Sequence, residues 1–304
     1  MDTLWLEDFI KLADEVNFSR AAEARNMSQP AFSRRIRALE EWVGVVLIDR
    51  DTHRIALTDA GRAFRVVAEE ILRRLSLGRD QAREIGGALV SELRFASTHV
   101  LSTTFFPPWL RSLEHGRDLG TITLVADHMA ACERFMLEGR ADFLLCHHHR
   151  AASHRLDPGG FTSLHLGDDV LMPVSAVGAD GVPLFRLPGS EDMPIPYLEF
   201  EEKSGMGRIL NAANVAANGI VALRPVFRSH LASVLLTMAC DGRGVTWAPQ
   251  SLAQDDLRHG RLAPAGGAAW NVPIEIHIFR PRARRSQRVE TFWAMLKERA
   301  EQSA

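Results

Sequence analysis

Apolar residues recur at helical spacing through the first forty positions: Leu6, Phe9, Leu12, Ala13 and Val16, then Ala21, Ala22 and Ala24, then Phe32, Ile36 and Leu39. Two polar breaks divide them into three short helices. Asn17-Phe18-Ser19 offers Ser19 as a cap for the second, and Asn26-Met27-Ser28 offers Ser28 for the third. Gln29-Pro30 follows, and a proline in a first turn costs little because its missing N–H would have had no intrahelical partner. Beyond Gly44 come two β-prone runs, Val45-Val46-Leu47-Ile48 and Ile55-Ala56-Leu57, around the polar stretch 49–54, the pattern of a small hairpin or wing. Thr58 then caps a long helix with Phe64, Val67, Ile71, Leu75 and Ala82 along it as far as Gly86-Gly87. At ~1.5 Å per residue this rod is roughly 40 to 45 Å long. Its apolar stripe needs a second surface to cover it, which predicts a linker helix through which two chains pair.

Past Gly87 the period changes. Stretches 93–96, 121–125 and 142–145 read as buried strands, separated by helical stretches at 105–113 and 129–137. Alternating strands and helices predict a parallel α/β sheet. Stretches 170–174, 195–198 and 244–247 with helices at 207–217 and 231–240 form a second α/β unit, and 274–278 with a helix at 288–300 returns the chain to the first. Two lobes joined by a crossing chain enclose a cleft, where ligands meet the carboxyl ends of the strands.

Composition narrows the class. The 304 residues are 46% apolar and 24% charged, which predicts two or three packed domains at about 100 to 200 residues each and excludes a disordered chain. The formal net charge is −2, so a nucleic-acid partner has to be met by local clustering. No stretch approaches the roughly 18 uncharged apolar residues that cross a bilayer, and Asp2, Glu7 and Asp8 interrupt the position of a signal peptide. A cytoplasmic chain with no membrane partner is expected. Cys132, Cys146 and Cys240 lie far apart without C-x-x-C spacing, which predicts reduced, buried thiols.

A short helix, a tight break and a helix beginning near Ser28 form a helix-turn-helix pattern, whose second member enters the major groove by its N-terminal residues. With Phe32, Ile36 and Leu39 turned inward, Gln29, Ser33 and Arg37 face outward with Arg34 beside them, and Arg34, Arg35 and Arg37 supply the local charge that the total hides. An arginine cluster alone also fits a solvated helix face. The capped break, the alanine-rich helix, the wing and the long helix together separate the two readings.

These residues resemble a known family. Phe18-Ser19-Arg20-Ala21-Ala22, Ser28-Gln29-Pro30-Ala31-Phe32-Ser33-Arg34-Arg35-Ile36, Leu39-Glu40, Leu47, Arg50 and Leu57-Thr58-Asp59-Ala60-Gly61 are similar to the N-terminal signature of LysR-type transcriptional regulators. The resemblance implies a winged helix-turn-helix over residues 1–60, a linker and dimerisation helix over 61–90, and over 91–304 an α/β effector domain of two lobes like those of periplasmic binding proteins. It implies an operator of double-stranded DNA, a homo-oligomer (dimer or tetramer), and contact with the transcription machinery. Gln29, Pro30, Ser33 and Arg34 occupy positions that meet DNA in the family, and Arg54 lies where the wing approaches phosphate. Ser204-Gly205-Met206-Gly207-Arg208, the run 241–249 and Phe292-Trp293 resemble the branch that contains hypochlorite-responsive members. There Met206 is a site whose oxidation to the sulfoxide would turn an apolar side chain polar.

Effector candidates follow from strand ends and helix starts. Ser97, Thr98, His99 and Ser102 surround the first such junction, Ser204 precedes the helix of Met206, and Asp127 and His128 follow the second strand. In Cys146-His147-His148-His149 the thiol and imidazoles suit zinc, copper or nickel, yet adjacent residues of an extended chain point to opposite sides. Only alternate members such as Cys146 and His148 converge, and no distant second ligand cluster is evident. His148 is therefore placed at the cleft, and no metal or other cofactor is assigned. The chain carries no G-x-S-x-G elbow, P-loop or H-E-x-x-H, so an enzyme is not expected. The favoured reading is a regulator switched by a small ligand in the cleft. Switching by oxidation at Met206 is the alternative, and a binding protein or enzyme without DNA function is the rival of another class.

Overall fold

The computed structural model describes residues 2–50, 55–86, 92–114, 118–156, 160–202, 204–213, 222–283 and 285–303. The chain forms two compact units, Met1–Leu89 with Leu137–Arg140, and Val90–Met136 with Ala141–Ala304.

The first unit begins with α1 (Thr3–Glu15), α2 (Phe18–Ala24) and α3 (Gln29–Val43). Asp2 caps α1 by accepting from Leu4 N at 3.0 Å. Asn17, not Ser19, caps α2, accepting from Arg20 N at 3.0 Å: Val16 takes a left-handed φ of 49°, and the chain is extended again two residues earlier than the polar pattern implied. Ser28 does take the N-cap position of α3, but its side chain makes no capping bond. Leu6, Phe9 and Leu12 of α1 meet Phe32, Ile36 and Leu39 of α3, and the small Ala21 and Ala22 join them from α2. Within this apolar packing the Asp8 carboxylate is fully buried. Arg25 Nε donates to it at 2.7 Å and Arg35 Nη1 at 3.2 Å, so one acid ties α1 to the end of α2 and to α3.

Strands β1 (Ile48–Asp49) and β2 (Ala56–Leu57) pair antiparallel, shorter than the apolar runs that predicted them. Val45 and Val46 stay exposed, while Glu40 of α3 accepts from Leu47 N and Ile48 N and pairs with Arg50. Thr58 N donates to Leu47 O at 3.0 Å, and Thr58 Oγ1 caps the first turn of α4 (Asp59–Ile85) by accepting from Gly61 N at 2.9 Å. Gly61 sits so close to this junction that a Cβ there would lie 2.1 Å from Leu47 O. Phe64, Ala68, Ile71 and Leu72 of α4 complete the core of this unit, with Phe64 5.6 Å from the ring of Phe9. Phe64 and Ile71 are thus covered within the chain. Among the described residues, the exposed large apolar side chains of α4 are Val66, Val67 and Leu75.

The second unit runs β3 (Leu93–Thr98), α5 (His99–Thr104), α6 (Phe106–Glu114), β4 (Ile122–Asp127), α7 (Met129–Leu137), β5 (Phe143–His148), β6 (Phe161–Ala176), β7 (Ile195–Phe200), α8 (Gly205–Ala212), β8 (Leu223–Ser229), α9 (Ala232–Cys240), β9 (Thr246–Pro249), α10 (Gln250–Arg258), β10 (Leu262–Pro264), β11 (Val272–Pro281) and α11 (Gln287–Ser303). It has two cores. Phe95, Phe143, Leu145, Ile278, Phe292 and Trp293 build one; Leu171, Val174, Leu198, Leu235 and Trp247 build the other. Parallel pairing holds within each lobe, β3 with β4 and β5, and β7 with β8. The crossing strands depart from it, since β11 runs antiparallel to both β5 and β6. Along β11, Ile274 packs into one core, while Ile276 and Ile278 pack into the other. Two adjacent antiparallel strands therefore carry the chain between the lobes. Strand β4 lies at the sheet edge with Thr123 and Val125 exposed, so it is not the buried strand its apolar run predicted.

Candidate nucleic-acid interface and effector cavity

On α3 the inward stripe of Phe32, Ile36 and Leu39 leaves Gln29, Pro30, Arg34 and Arg37 exposed and Ser33 half-buried. The face therefore offers an amide, a hydroxyl and two guanidinium groups near one helix start. Arg35 does not join it, because its guanidinium is engaged by buried Asp8. Arg54 lies outside the described residues.

In the second unit a cavity of about 40 Å³ lies where the carboxyl ends of β3, β4 and β5 face the start of α8. Its walls include Thr98, His99, Asp127, His128, Ser204 and Met206. Ser204 Oγ caps α8 by accepting from Gly207 N at 2.9 Å, which leaves the hydroxyl hydrogen to donate elsewhere. Met206, 7% exposed, occupies the first turn of that helix and packs into the adjoining core. His128 Nδ1 accepts from Ala131 N at 3.1 Å, and burial is the largest cause holding this imidazole below its ordinary pKa, so it is neutral near pH 7 with its proton on Nε2.

Two polar cavity residues were missed by sequence reasoning. His147, its side chain 3% exposed, enters from β5, and His230 enters after β8, its ring 5.9 Å from that of His128 and 6.4 Å from that of His99. Both ring nitrogens of His147 and Thr98 Oγ1 are buried without a hydrogen-bond partner, although His147 Nε2 stands 3.4 Å from Asp169 Oδ2. Asp169 is fixed in turn by Ser251 at the start of α10, whose Oγ donates at 2.5 Å and whose backbone N donates at 3.2 Å. His230 had a readable signal, a histidine at the carboxyl end of a strand.

Three expected residues lie elsewhere. Ser97 is fully buried and donates to Thr98 O at 3.1 Å, and Ser102 donates to His99 O at 2.7 Å. His148 points away from the cavity because strand residues alternate, and the phase of β5 gives the cavity to His147. Cys132 and Cys146 are buried as expected and Cys240 only partly so; Cys132 donates to Ser97 O and Asp127 O, and burial pushes its pKa up to about 12.

Residues 4–62 match the family of bacterial regulatory helix-turn-helix proteins of the lysR type, and residues 86–301 match the LysR substrate binding domain. The chain belongs to the LysR family. A LysR-family relative, the HTH-type transcriptional regulator YjiE of Escherichia coli K12, is 30% identical over 298 residues, covering 98% of this chain and 95% of its own. The full-length hypochlorite-specific LysR-type regulator HypT of Salmonella typhimurium is 29% identical over 99% of each chain, with a TM-score of 0.60. Vibrio fischeri DarR, solved in complex with DNA, is 31% identical over 97% of this chain and 98% of its own, with a TM-score of 0.56. This LysR-family chain is accordingly a DNA-binding transcriptional regulator with an effector-binding domain, and its family is one of regulators rather than enzymes. Among the described residues, no helix is long and apolar enough to cross a membrane.

Proposed function

We propose that this LysR-family regulator is switched by a small polar or anionic molecule held in the cavity beside α8. The observation that carries the reading is the pair of buried polar atoms there with no partner, Thr98 Oγ1 and Nδ1 of His147, since His147 Nε2 already stands 3.4 Å from Asp169 Oδ2. A buried polar atom without a partner costs about 1 to 3 kcal/mol, which a ligand with acceptor oxygens would relieve. The hydroxyl of Ser204 and the N-terminus of α8 add donors and a favourable dipole for negative charge. At about 40 Å³ the cavity has room for two or three waters or a small anion, so an aromatic acid would enter only with the lobes further open. In this reading Gln29 and Arg34 read base edges, Pro30, Ser33 and Arg37 adjoin the backbone, and Arg54 grips phosphate. Two copies pair through the exposed Val67 and Leu75 of α4, and effector occupancy is passed to the transcription machinery.

A second reading is supported by one feature of the same cavity: Met206 lines it, and HypT, a full-length relative, is hypochlorite-specific. Hypochlorous acid is small enough to enter, and sulfoxide formation would put a polar group into the packing beneath α8. Reporter transcription and operator binding by wild type, Met206→Leu and Thr98→Ala/His147→Ala under graded hypochlorite separate the two. Ligand switching predicts that Met206→Leu keeps its response and the cavity double variant loses it, with operator affinity retained. Loss of the response in Met206→Leu, with recovery of the oxidised wild type by methionine sulfoxide reductase, would instead establish the oxidant route. The DNA assignment is checked by Arg34→Ala, expected to cost about 1 to 3 kcal/mol at one operator position.

A further inference from the structure

The face of β5 turned away from the cavity carries a second constellation that the regulator's switch does not use. His148 lies opposite Glu275 in the β5·β11 register, and His277 lies opposite Cys146 on one side and His165 of β6 on the other. Residues two apart on β11 share a face with their direct neighbours on the adjoining strands, so three strands deliver imidazole and carboxylate groups to one patch. The β6·β11 ladder shifts register beside His277, an irregularity of the kind that re-aims side chains. One ring nitrogen of His148, one of His277 and one oxygen of Glu275 lie within 4.8 Å of one another. The rings of His148 and His277 are 4.5 Å apart, and His277 Nε2 is 2.7 Å from Glu275 Oε2.

The geometry points to a site for a borderline divalent transition-metal ion of the zinc type, ligated by His148, Glu275 and His277. Two imidazoles and a carboxylate suit zinc, nickel or copper, and bonds of ~2.0–2.2 Å require ligand atoms ~3.3 Å apart. The present spacing reaches that with side-chain rotation of roughly an ångström or two, and the Glu275 side chain, 52% exposed, is free to make it.

The surroundings match those of a metal ligand. His148 Nδ1 is 2.8 Å from Nε2 of His154, and His277 Nδ1 is 3.3 Å from Ser163 Oγ. Ligation through the Nε2 atoms would leave both outer contacts in place, the arrangement that fixes tautomer and ring orientation at metal-bound histidines. Three protein ligands leave at least one coordination position for water. The distant ligands that the Cys146–His149 run lacked in sequence come from Glu275-Ile276-His277, and Cys146 is not among them.

The test titrates full-length chelator-stripped protein with Zn²⁺ by calorimetry, with Mg²⁺ as the control. One Zn²⁺ per chain is expected, with no Mg²⁺ binding. His148→Ala and His277→Ala are each expected to weaken Zn²⁺ at least tenfold, and the isosteric, solvent-facing Glu275→Gln to weaken it without disturbing the fold. Bound Co²⁺ should show the intense visible bands of a four-coordinate N/O site in the wild type and lose them in His277→Ala. Cavity variants His128→Ala and His230→Ala should bind Zn²⁺ as the wild type does. Absence of Zn²⁺ binding by the wild type, wild-type affinity in Glu275→Gln and His148→Ala/His277→Ala, or loss only in the cavity variants would overturn the assignment.

Discussion

Replacing Asp8 by Asn removes the charge that holds the first unit's helices together and keeps the side-chain shape. In the wild type the carboxylate is fully buried and accepts from Arg25 at 2.7 Å and Arg35 at 3.2 Å. Removing one member of a fully buried ion pair costs about 3 to 5 kcal/mol because the partner charge stays buried. Here the arginine side chains keep 26% and 36% exposure, so water recovers part of that loss, and a cost of about 2 to 4 kcal/mol remains. The two units need not unfold together, so hydrogen exchange at amides of α1 to α3 is the appropriate readout rather than a single melting temperature. At ~1.36 kcal/mol per decade, the most protected of these amides should exchange about 30 to 900 times faster, with amides of the second unit unchanged. Asp59, paired with Arg62 but with a 98% exposed side chain, is the control: Asp59→Asn should leave the same amides within about twofold. An acceleration below about fivefold in Asp8→Asn, or one matched by the control, would refute the claim that this carboxylate is a principal tie of the unit.

Gly61→Ala would drive a Cβ to 2.1 Å from Leu47 O, so the wing junction must shift; a loss of about 1 to 3 kcal/mol or more is expected, read as faster exchange at Leu47 and Thr58. Burial alone would raise the pKa of Asp169, but His147, Ser251 and the backbone N–H of Val170 together lower it. Its stabilisation is therefore present above the ordinary value of 3.8 and is lost as pH falls from there through its own lower value, so the difference between wild type and Asp169→Asn in the melting transition of the second unit should shrink as pH falls below about 4. Val67→Glu/Leu75→Glu should reduce the self-associated mass seen by light scattering while leaving the fold intact, because both side chains are half exposed in the single chain.

The first unit was legible because its information is local. Stripe, cap and proline position each depend on neighbours in sequence, and Thr58 and Gly61 meet Leu47 as close-range turn chemistry requires. The second unit yielded most of its strands but neither β8 nor β10, and not the directions or full lengths of the others. Gly167-Asp168-Asp169 breaks the apolar run of β6 in sequence, while pairing with β11 across that stretch keeps it a single strand from Phe161 to Ala176. Helix α10 went unread because its polar face hides a single buried residue, Ala253. The error at His148 was one of phase: alternation was evident, but only the register with β11 and the core residues Phe143 and Leu145 determine which histidine meets the cavity. Ser97 failed for a similar reason, since it sits one residue before the chain turns and its hydroxyl is used by the backbone.

The crossing of β6 and β11 between the lobes has a mechanical consequence. A pair of lobes joined by single loose strands can swing widely at little cost, like doors on hinges. Here ten residues of β11 are laddered to β6 over the whole passage, and the ladder ends inside two different cores. Such a connection behaves as a leaf spring: it resists shear and separation, and yields mainly by changing twist. Opening the lobes must then store elastic strain along the ribbon, which sets a restoring force against any guest that wedges them apart. Under the proposed ligand reading, small guests that leave the twist unaltered would avoid this cost, and the stiffness of two paired strands would act as a size filter on what the cavity admits.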